Sequence, residues 1–144
     1  MTYGLVAGKL CRMDRIYIPQ FERKFRETYM QGREELIGMK ELKNMAKFFA
    51  CLLSTNSISW NILSCIVMNE EDLTSFRRIF TTFLFQELIQ CMGPTGIYNK
   101  LENLPLRNAL TGLFPRENSR DTKFAVNFFA SIGLNILTEN HRNF

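Results

Sequence analysis

A chain of 144 residues, 46% hydrophobic and 22% charged, has the length of one domain and can bury about 68–70% of its unfolded surface without metal or disulfide staples. This composition excludes a disordered or low-complexity chain, and its longest apolar runs, such as Phe48 to Leu53, fall far short of the roughly 20 residues that cross a bilayer. The net charge of +4 is concentrated at one end: residues 1–33 hold seven basic and three acidic side chains, and the remainder is neutral.

In chain order, Tyr3 to Cys11 is already patterned as a packed helix, with no basic n-region or long apolar h-region of a secretory signal. Gly4-Leu5-Val6-Ala7-Gly8-Lys9 superficially matches a phosphate loop, but it has three residues between its glycines instead of four, and Leu10 stands where a hydroxyl is required. Small residues four apart instead let a neighbouring helix approach closely. Ile18, Phe21, Phe25 and Tyr29 form a narrow apolar stripe, which Gly32 can end as a left-handed cap. The basic side chains Lys9, Arg12, Arg15, Arg23, Lys24 and Arg26 admit three readings: a phosphate-backbone contact, a solvated face, or a dock for an acidic protein surface.

Leu42, Met45, Phe48, Phe49, Leu52 and Leu53 carry the helical period from near Arg33 to just before Ser57, which is placed to cap the next helix. Trp60, the single tryptophan, reads as core or hydrophobic-staple packing, with an interface anchor as the alternative. Asn69-Glu70-Glu71-Asp72 puts a capping amide and three carboxylates at the start of a helix over residues 73–92, where the dipole favours anions. Leu73, Phe76, Ile79, Phe80, Phe83, Leu84, Leu88 and Met92 give that helix its apolar face.

Gly93-Pro94 closes it, Thr95 can cap a short segment over Ile97, Tyr98 and Leu101, and Pro105 fits only the first turn of the following helix. A helix arriving through Leu110–Leu113 stops at Phe114, because Pro115 lacks an amide hydrogen and restricts its predecessor. Asn118 or Ser119 then caps a last helix, with Asp121 in its first turn and Phe124, Phe128 and Phe129 in the core. The charged turn Arg116, Glu117, Asn118, Arg120, Asp121 either presents two guanidiniums to a partner at little ordering cost, or clasps a neighbouring loop.

The whole pattern predicts an all-α fold of about eight helices, with no strict alternation to suggest strands. Catalytic chemistry is hard to assemble. His141 is the only histidine and stands near the end of the chain, so cysteine or serine nucleophiles lack a base, and Glu34/Glu35 and Glu70/Glu71/Asp72 read as solvated helix starts. Cys11, Cys51, Cys65 and Cys91 form no C-x-x-C pair and fall within apolar patterns, so they are expected to be buried free thiols, with no metal and no cofactor.

Several segments, in order, closely resemble one family: Tyr3-Gly4-Leu5-Val6-Ala7-Gly8-Lys9-Leu10-Cys11, Asn44-Met45-Ala46-Lys47-Phe48-Phe49-Ala50-Cys51-Leu52-Leu53, Ile79-Phe80 with Phe85-Gln86-Glu87-Leu88, the turn Gly112 to Lys123, and Asn127-Phe128-Phe129-Ala130-Ser131-Ile132-Gly133-Leu134. They are similar to the MA-three domain of the nucampholin family, the Cwc-twenty-two pre-mRNA-splicing factors. Glu70 to Ser75 and Gly93 to Leu106 depart from the family pattern. The resemblance implies stacked antiparallel helical hairpins of HEAT-like type over residues 1–144, a single domain excised from a longer protein. It further implies a non-enzymatic interaction module of a nuclear spliceosomal factor, docking on core spliceosomal proteins. A DEAD-box helicase, and with it exon junction complex assembly, would be served by a separate domain of the full-length protein. Two rival functions are a translation-control module binding such a helicase directly through Glu70, Glu71 and Asp72, and an RNA-binding module using Arg23, Lys24 and Arg26.

Overall fold

The computed structural model describes residues 17–33 and 37–141, and of residues 139–141 the backbone only. The readings placed on Tyr3 to Cys11, Lys9, Arg12, Arg15 and Glu34/Glu35 lie outside the described residues, as does the side chain of His141.

The all-α expectation holds. The described residues form five α-helices, α1 (Tyr17–Gln31), α2 (Met39–Ser54), α3 (Ser75–Leu101), α4 (Leu104–Ala109) and α5 (Ser119–Ser131), with short 3-10 segments at Trp60–Cys65 and Asn135–His141. This is fewer than about eight, partly because α3 runs on through a kink at Gly93, whose φ of 72° and ψ of 163° are non-helical, before Pro94 restarts the turn.

Helices α2 and α3 form the most extensive pair, and α1 packs on both. The Phe25 ring meets Phe49 edge-on at 5.1 Å and Phe80 at 5.7 Å. Farther along α3, Phe85 meets Phe129 of α5 edge-on at 5.5 Å, and Phe114 stacks on Phe129 at 5.7 Å. One apolar core therefore runs from α1 to the 3-10 segment after α5. The predicted apolar face of α3 is the buried one, with Phe76, Phe80, Leu84 and Leu88 almost wholly inaccessible, as is Leu73 just ahead of the helix. Trp60 is also core, 3% exposed, and its indole N–H donates to the Leu53 carbonyl at 2.9 Å.

Helix ends correct several expectations. Gly32 does not adopt a left-handed conformation, since among the described glycines only Gly93 and Gly133 have positive φ. Its lack of a side chain matters for space instead, because a Cβ there would overlap the Phe76 ring and the Thr28 carbonyl. The left-handed residue that ends α2 is Asn56, with φ 56°. It lets Ser57 N–H reach the Leu52 carbonyl at 2.9 Å and its own N–H the Leu53 carbonyl at 3.0 Å, a Schellman closure. Ser57 is consequently buried, and the next cap is Ser59, which accepts from the Asn61 amide. Gly133 closes α5 in the same way, with Leu134 N–H on the Phe129 carbonyl at 2.7 Å.

Pro105 does stand in the first turn of α4, behind an Asn103 cap. The stretch Leu110–Leu113 is a hydrogen-bonded turn, not a helix, and it ends before Pro115 as the missing amide requires. Cys51 is buried, Cys65 partly so, and Cys91 is exposed, against the expectation that it be buried; the three are free thiols. Among the described residues no helix is long and apolar enough to cross a membrane.

Candidate functional site

The acidic turn and the last helix, far apart in sequence, meet on one side of the molecule. Asn69 closes the acidic turn locally: its Oδ1 accepts the Asp72 amide at 2.7 Å and its Nδ2 donates to the Asp72 carboxylate at 2.8 Å. Helix α3 starts later, at Ser75, capped by Thr74, whose hydroxyl oxygen accepts the Arg77 amide. The three carboxylates thus sit upstream of the helix end that was expected to explain them.

Their partner is Arg120 in the first turn of α5. Its Nη2 donates to Glu71 Oε1 at 2.7 Å and lies 3.6 Å from Glu70 Oε2. A main-chain amide bond, followed by the Arg120 guanidinium, holds the Glu71 carboxyl below the usual glutamate range, and the hydrogen bond to the Glu71 carboxylate raises the Arg120 pKa. Arg120 and the acidic loop are therefore brought together.

The turn before α5 is rigid for local reasons. Asn118 Oδ1 accepts the Asp121 amide at 2.7 Å while its Nδ2 donates to the Asp121 carboxylate at 2.9 Å. Thr122 Oγ1 is within 2.9 Å of the Pro115 and Asn118 carbonyls. The same ring of bonds, Asn to an acid three residues on, closes both the 69–72 and the 118–121 turns. Arg116 and Glu117 stay exposed on the turn.

Beside this turn lies a groove of about 440 Å³. Met68 and Phe114 contribute its floor, and Leu104 and Arg116 line it from α4 and the turn. The Met68 amide donates to the Gly112 carbonyl at 2.9 Å, and a Cβ on Gly112 would come within 2.7 Å of the Ile66 carbonyl oxygen, so glycine permits the close approach that shapes the groove. Arg107 also lines it, with its guanidinium carbon 4.7 Å from the centre of the Phe114 ring and Nη2 3.4 Å from the Leu137 carbonyl. Burial, then the nearby charge of Arg116, lowers the Arg107 pKa. Sequence reasoning missed Arg107, because nothing in the spacing of α4 reveals that its side chain crosses to Phe114.

Of the basic face, Arg23, Lys24 and Arg26 point outward from α1, and none of them lines the groove. Their neighbour Glu22 turns back and accepts the Ser59 amide at 2.9 Å. Among the described residues no group of His, Cys, Asp and Glu is arranged to hold a metal ion.

No protein-family model matches the chain. It is similar to curated relatives: the "Pre-mRNA-splicing factor CWC22 homolog" of Drosophila melanogaster is 46% identical over 142 residues, 99% of this chain and 10% of that protein. The human protein of the same description is 42% identical over 140 residues, 97% of this chain and 15% of that one. "Pre-mRNA-splicing factor CWC22" of Pyricularia oryzae is 37% identical over 142 residues, 99% of this chain and 15% of that one. The chain thus spans 10–15% of the length of these three relatives.

Proposed function

We propose that this chain, which belongs to the family of CWC22 pre-mRNA-splicing factors, is a non-enzymatic protein-docking module acting in nuclear pre-mRNA splicing. The observation that carries the docking part is the Arg120–Glu71 clasp, which fixes two loops 49 residues apart into one exposed, charged face beside a groove. Loops held this way meet a partner without the ordering cost of mobile ones. Core spliceosomal proteins are the partners in this reading, met through Arg116, Glu117, Asn118, Arg120 and Asp121. The HEAT-like, stacked-hairpin arrangement of an MA-three domain, excised from a longer protein, suits such work because inter-helix loops collect on one side. Contribution to exon junction complex assembly, through a DEAD-box helicase bound elsewhere in the full-length protein, belongs to the same proposal.

The test is retention from nuclear extract on the immobilised chain, at low and physiological salt, with mass-spectrometric identification. Core spliceosomal proteins are expected on the unaltered chain and are lost with Arg116→Glu and Arg120→Glu. Unchanged retention by a folded double variant rejects the docking face. Direct helicase binding through Glu70, Glu71 and Asp72 would appear instead as retention of a lone helicase that Glu70→Lys removes. RNA binding through α1 would appear as a steep salt dependence set by Arg23, Lys24 and Arg26.

A further inference from the structure

A second groove, of about 770 Å³, shares no lining residue with the one beside the charged turn. The start of α1, the loop after α2, the end of α3 and α4 enclose it, and four asparagines, Asn56, Asn61, Asn99 and Asn103, contribute to its lining. All four are exposed. Asn56 Oδ1 accepts from Lys100 Nζ at 2.6 Å and Asn103 Oδ1 accepts the Leu106 amide at 3.1 Å, which leaves the side-chain N–H groups of both as donors. Asn61 is bonded to Ser59 Oγ through its main-chain amide at 3.1 Å, and among the described residues neither its side chain nor that of Asn99 has a hydrogen-bond partner. Each of these two therefore offers both a donor and an acceptor to the groove. The walls are set in place before any ligand arrives, Asn56 by its left-handed conformation and Lys100, and Ser59 by its amide on Glu22 Oε2 at 2.9 Å. Apolar surface from Ile18, Pro105 and Leu106 completes the lining.

We infer that this groove binds an extended segment of a protein partner by its main chain, with the Asn61 and Asn99 amides paired to successive peptide units. A primary amide is neutral and both donates and accepts, so it matches the N–H and C=O of a peptide bond whatever side chain that residue carries. In an extended segment every second side chain points to one face, and apolar ones at those positions meet Ile18, Pro105 and Leu106. Charge favours this occupant over nucleic acid. Among the described residues lining the groove only Glu22 and Lys100 are charged, one of each sign, and both are already hydrogen-bonded; a phosphate backbone calls for an excess of cations. Trp60 is the one aromatic residue in that lining, and it is 3% exposed with its indole N–H given to the Leu53 carbonyl, so it offers no platform for a base. The site goes beyond the docking reading above and uses neither Arg116 nor Arg120.

The experiment titrates the isotopically labelled chain, read by NMR, with a short capped peptide of alternating Leu and Ser, with the same peptide methylated on every second main-chain nitrogen, and with an oligouridylate. The unmodified peptide is expected to shift the side-chain amide resonances of Asn61 and Asn99 and the main-chain amides of residues 56–61 and 99–104, with little dependence on salt. Methylation removes main-chain donors and leaves the side chains, and it weakens binding about tenfold, the worth of one or two hydrogen bonds. Asn61→Ala and Asn99→Ala, exposed changes that spare the fold, each weaken the unmodified peptide by about the same factor. Absence of shifts at millimolar peptide, equal binding of the methylated peptide, indifference to both asparagine variants, or oligouridylate shifting the same resonances at physiological salt overturns the inference. Arg116→Glu with Arg120→Glu leaves peptide binding unchanged, so loss of retention from extract in that variant tests the docking face alone, and the two sites stand or fall separately.

Discussion

Arg120 and Glu71 are joined by a 2.7 Å hydrogen bond across 49 residues of sequence, and both side chains are largely exposed, 64% and 68%. A pair so exposed contributes little to global stability; what it does is fix the position of one loop against another. Arg120→Ala and Glu71→Ala are therefore expected to leave the melting temperature nearly unchanged while loosening the amides of residues 69–72 and 116–121 in NMR relaxation. Exchanging the two, Arg120→Glu with Glu71→Arg, should restore their order. Because the folded Glu71 pKa is lowered, the clasp is complete above the ordinary glutamate value of about 4.5 and is lost as the pH falls through the lower folded value. A pH titration that left those amides unmoved below pH 4 would count against the bond.

Two glycines are expected to be intolerant for different reasons. At Gly93, φ 72° and ψ 163° lie in a region open essentially to glycine alone, with nothing within 4 Å of a built Cβ, so Gly93→Ala costs about 1–3 kcal/mol through backbone strain. At Gly112 the conformation is ordinary, but the added carbon meets the Ile66 carbonyl at 2.7 Å, and Gly112→Ala costs about 1–3 kcal/mol by overpacking. Urea unfolding gives both magnitudes. The distinction appears in the Met68 amide, bonded to the Gly112 carbonyl, which loses exchange protection in the second variant only.

The thiols are expected to separate by burial. Desolvation raises the Cys51 pKa and pushes that of Cys65 up to about 11, so both remain protonated thiols at pH 8, whereas Cys91 is exposed. Brief iodoacetamide treatment of the native chain followed by peptide mapping should find Cys91 modified well ahead of Cys51 and Cys65. For Cys51 and Cys65, the retained proton also means stability is present below the unfolded-state value of about 9 and declines as the pH rises through the folded one. Comparable labelling of Cys65 and Cys91 would contradict the packing of the 3-10 segment.

What the sequence made legible follows from the range of the interactions involved. The helical period marked Phe25, Phe49, Phe80 and Leu84 as core, and all are buried; the missing amide of Pro115 marked the break before α5, and Asn118 is its cap. These are effects within a few residues. Ser57 was misassigned because Asn56 adopts a left-handed conformation that no spacing announces, and Cys91 because a three-to-four spacing does not say where an apolar face ends. The acidic turn was read against the nearest helix dipole, whereas its principal neighbour is Arg120, and Arg107 carried no signal at all until α4 was placed over Phe114. Pairings of this kind depend on tertiary arrangement, and a single sequence holds no record of them.

Arg77 ties three elements together, and its loss should be the most damaging of the surface-reachable changes. Its Nη1 donates to the Asp72 carbonyl at 2.8 Å, Nε to the Tyr29 carbonyl at 3.3 Å and Nη2 to the Met30 carbonyl at 3.2 Å. The carbonyls of Tyr29 and Met30 belong to the last turn of α1, where no further helical amide follows and a cation is favoured by the dipole. Arg77→Ala is expected to cost about 1.5–3 kcal/mol, the worth of hydrogen bonds to a charged group. Arg77→Lys should recover only part of this, since one ammonium cannot span three carbonyls that a guanidinium fork reaches at once. Denaturant unfolding of the two variants checks the order. Full recovery by lysine would mean that charge alone, not the fork, holds the end of α1 against the acidic turn.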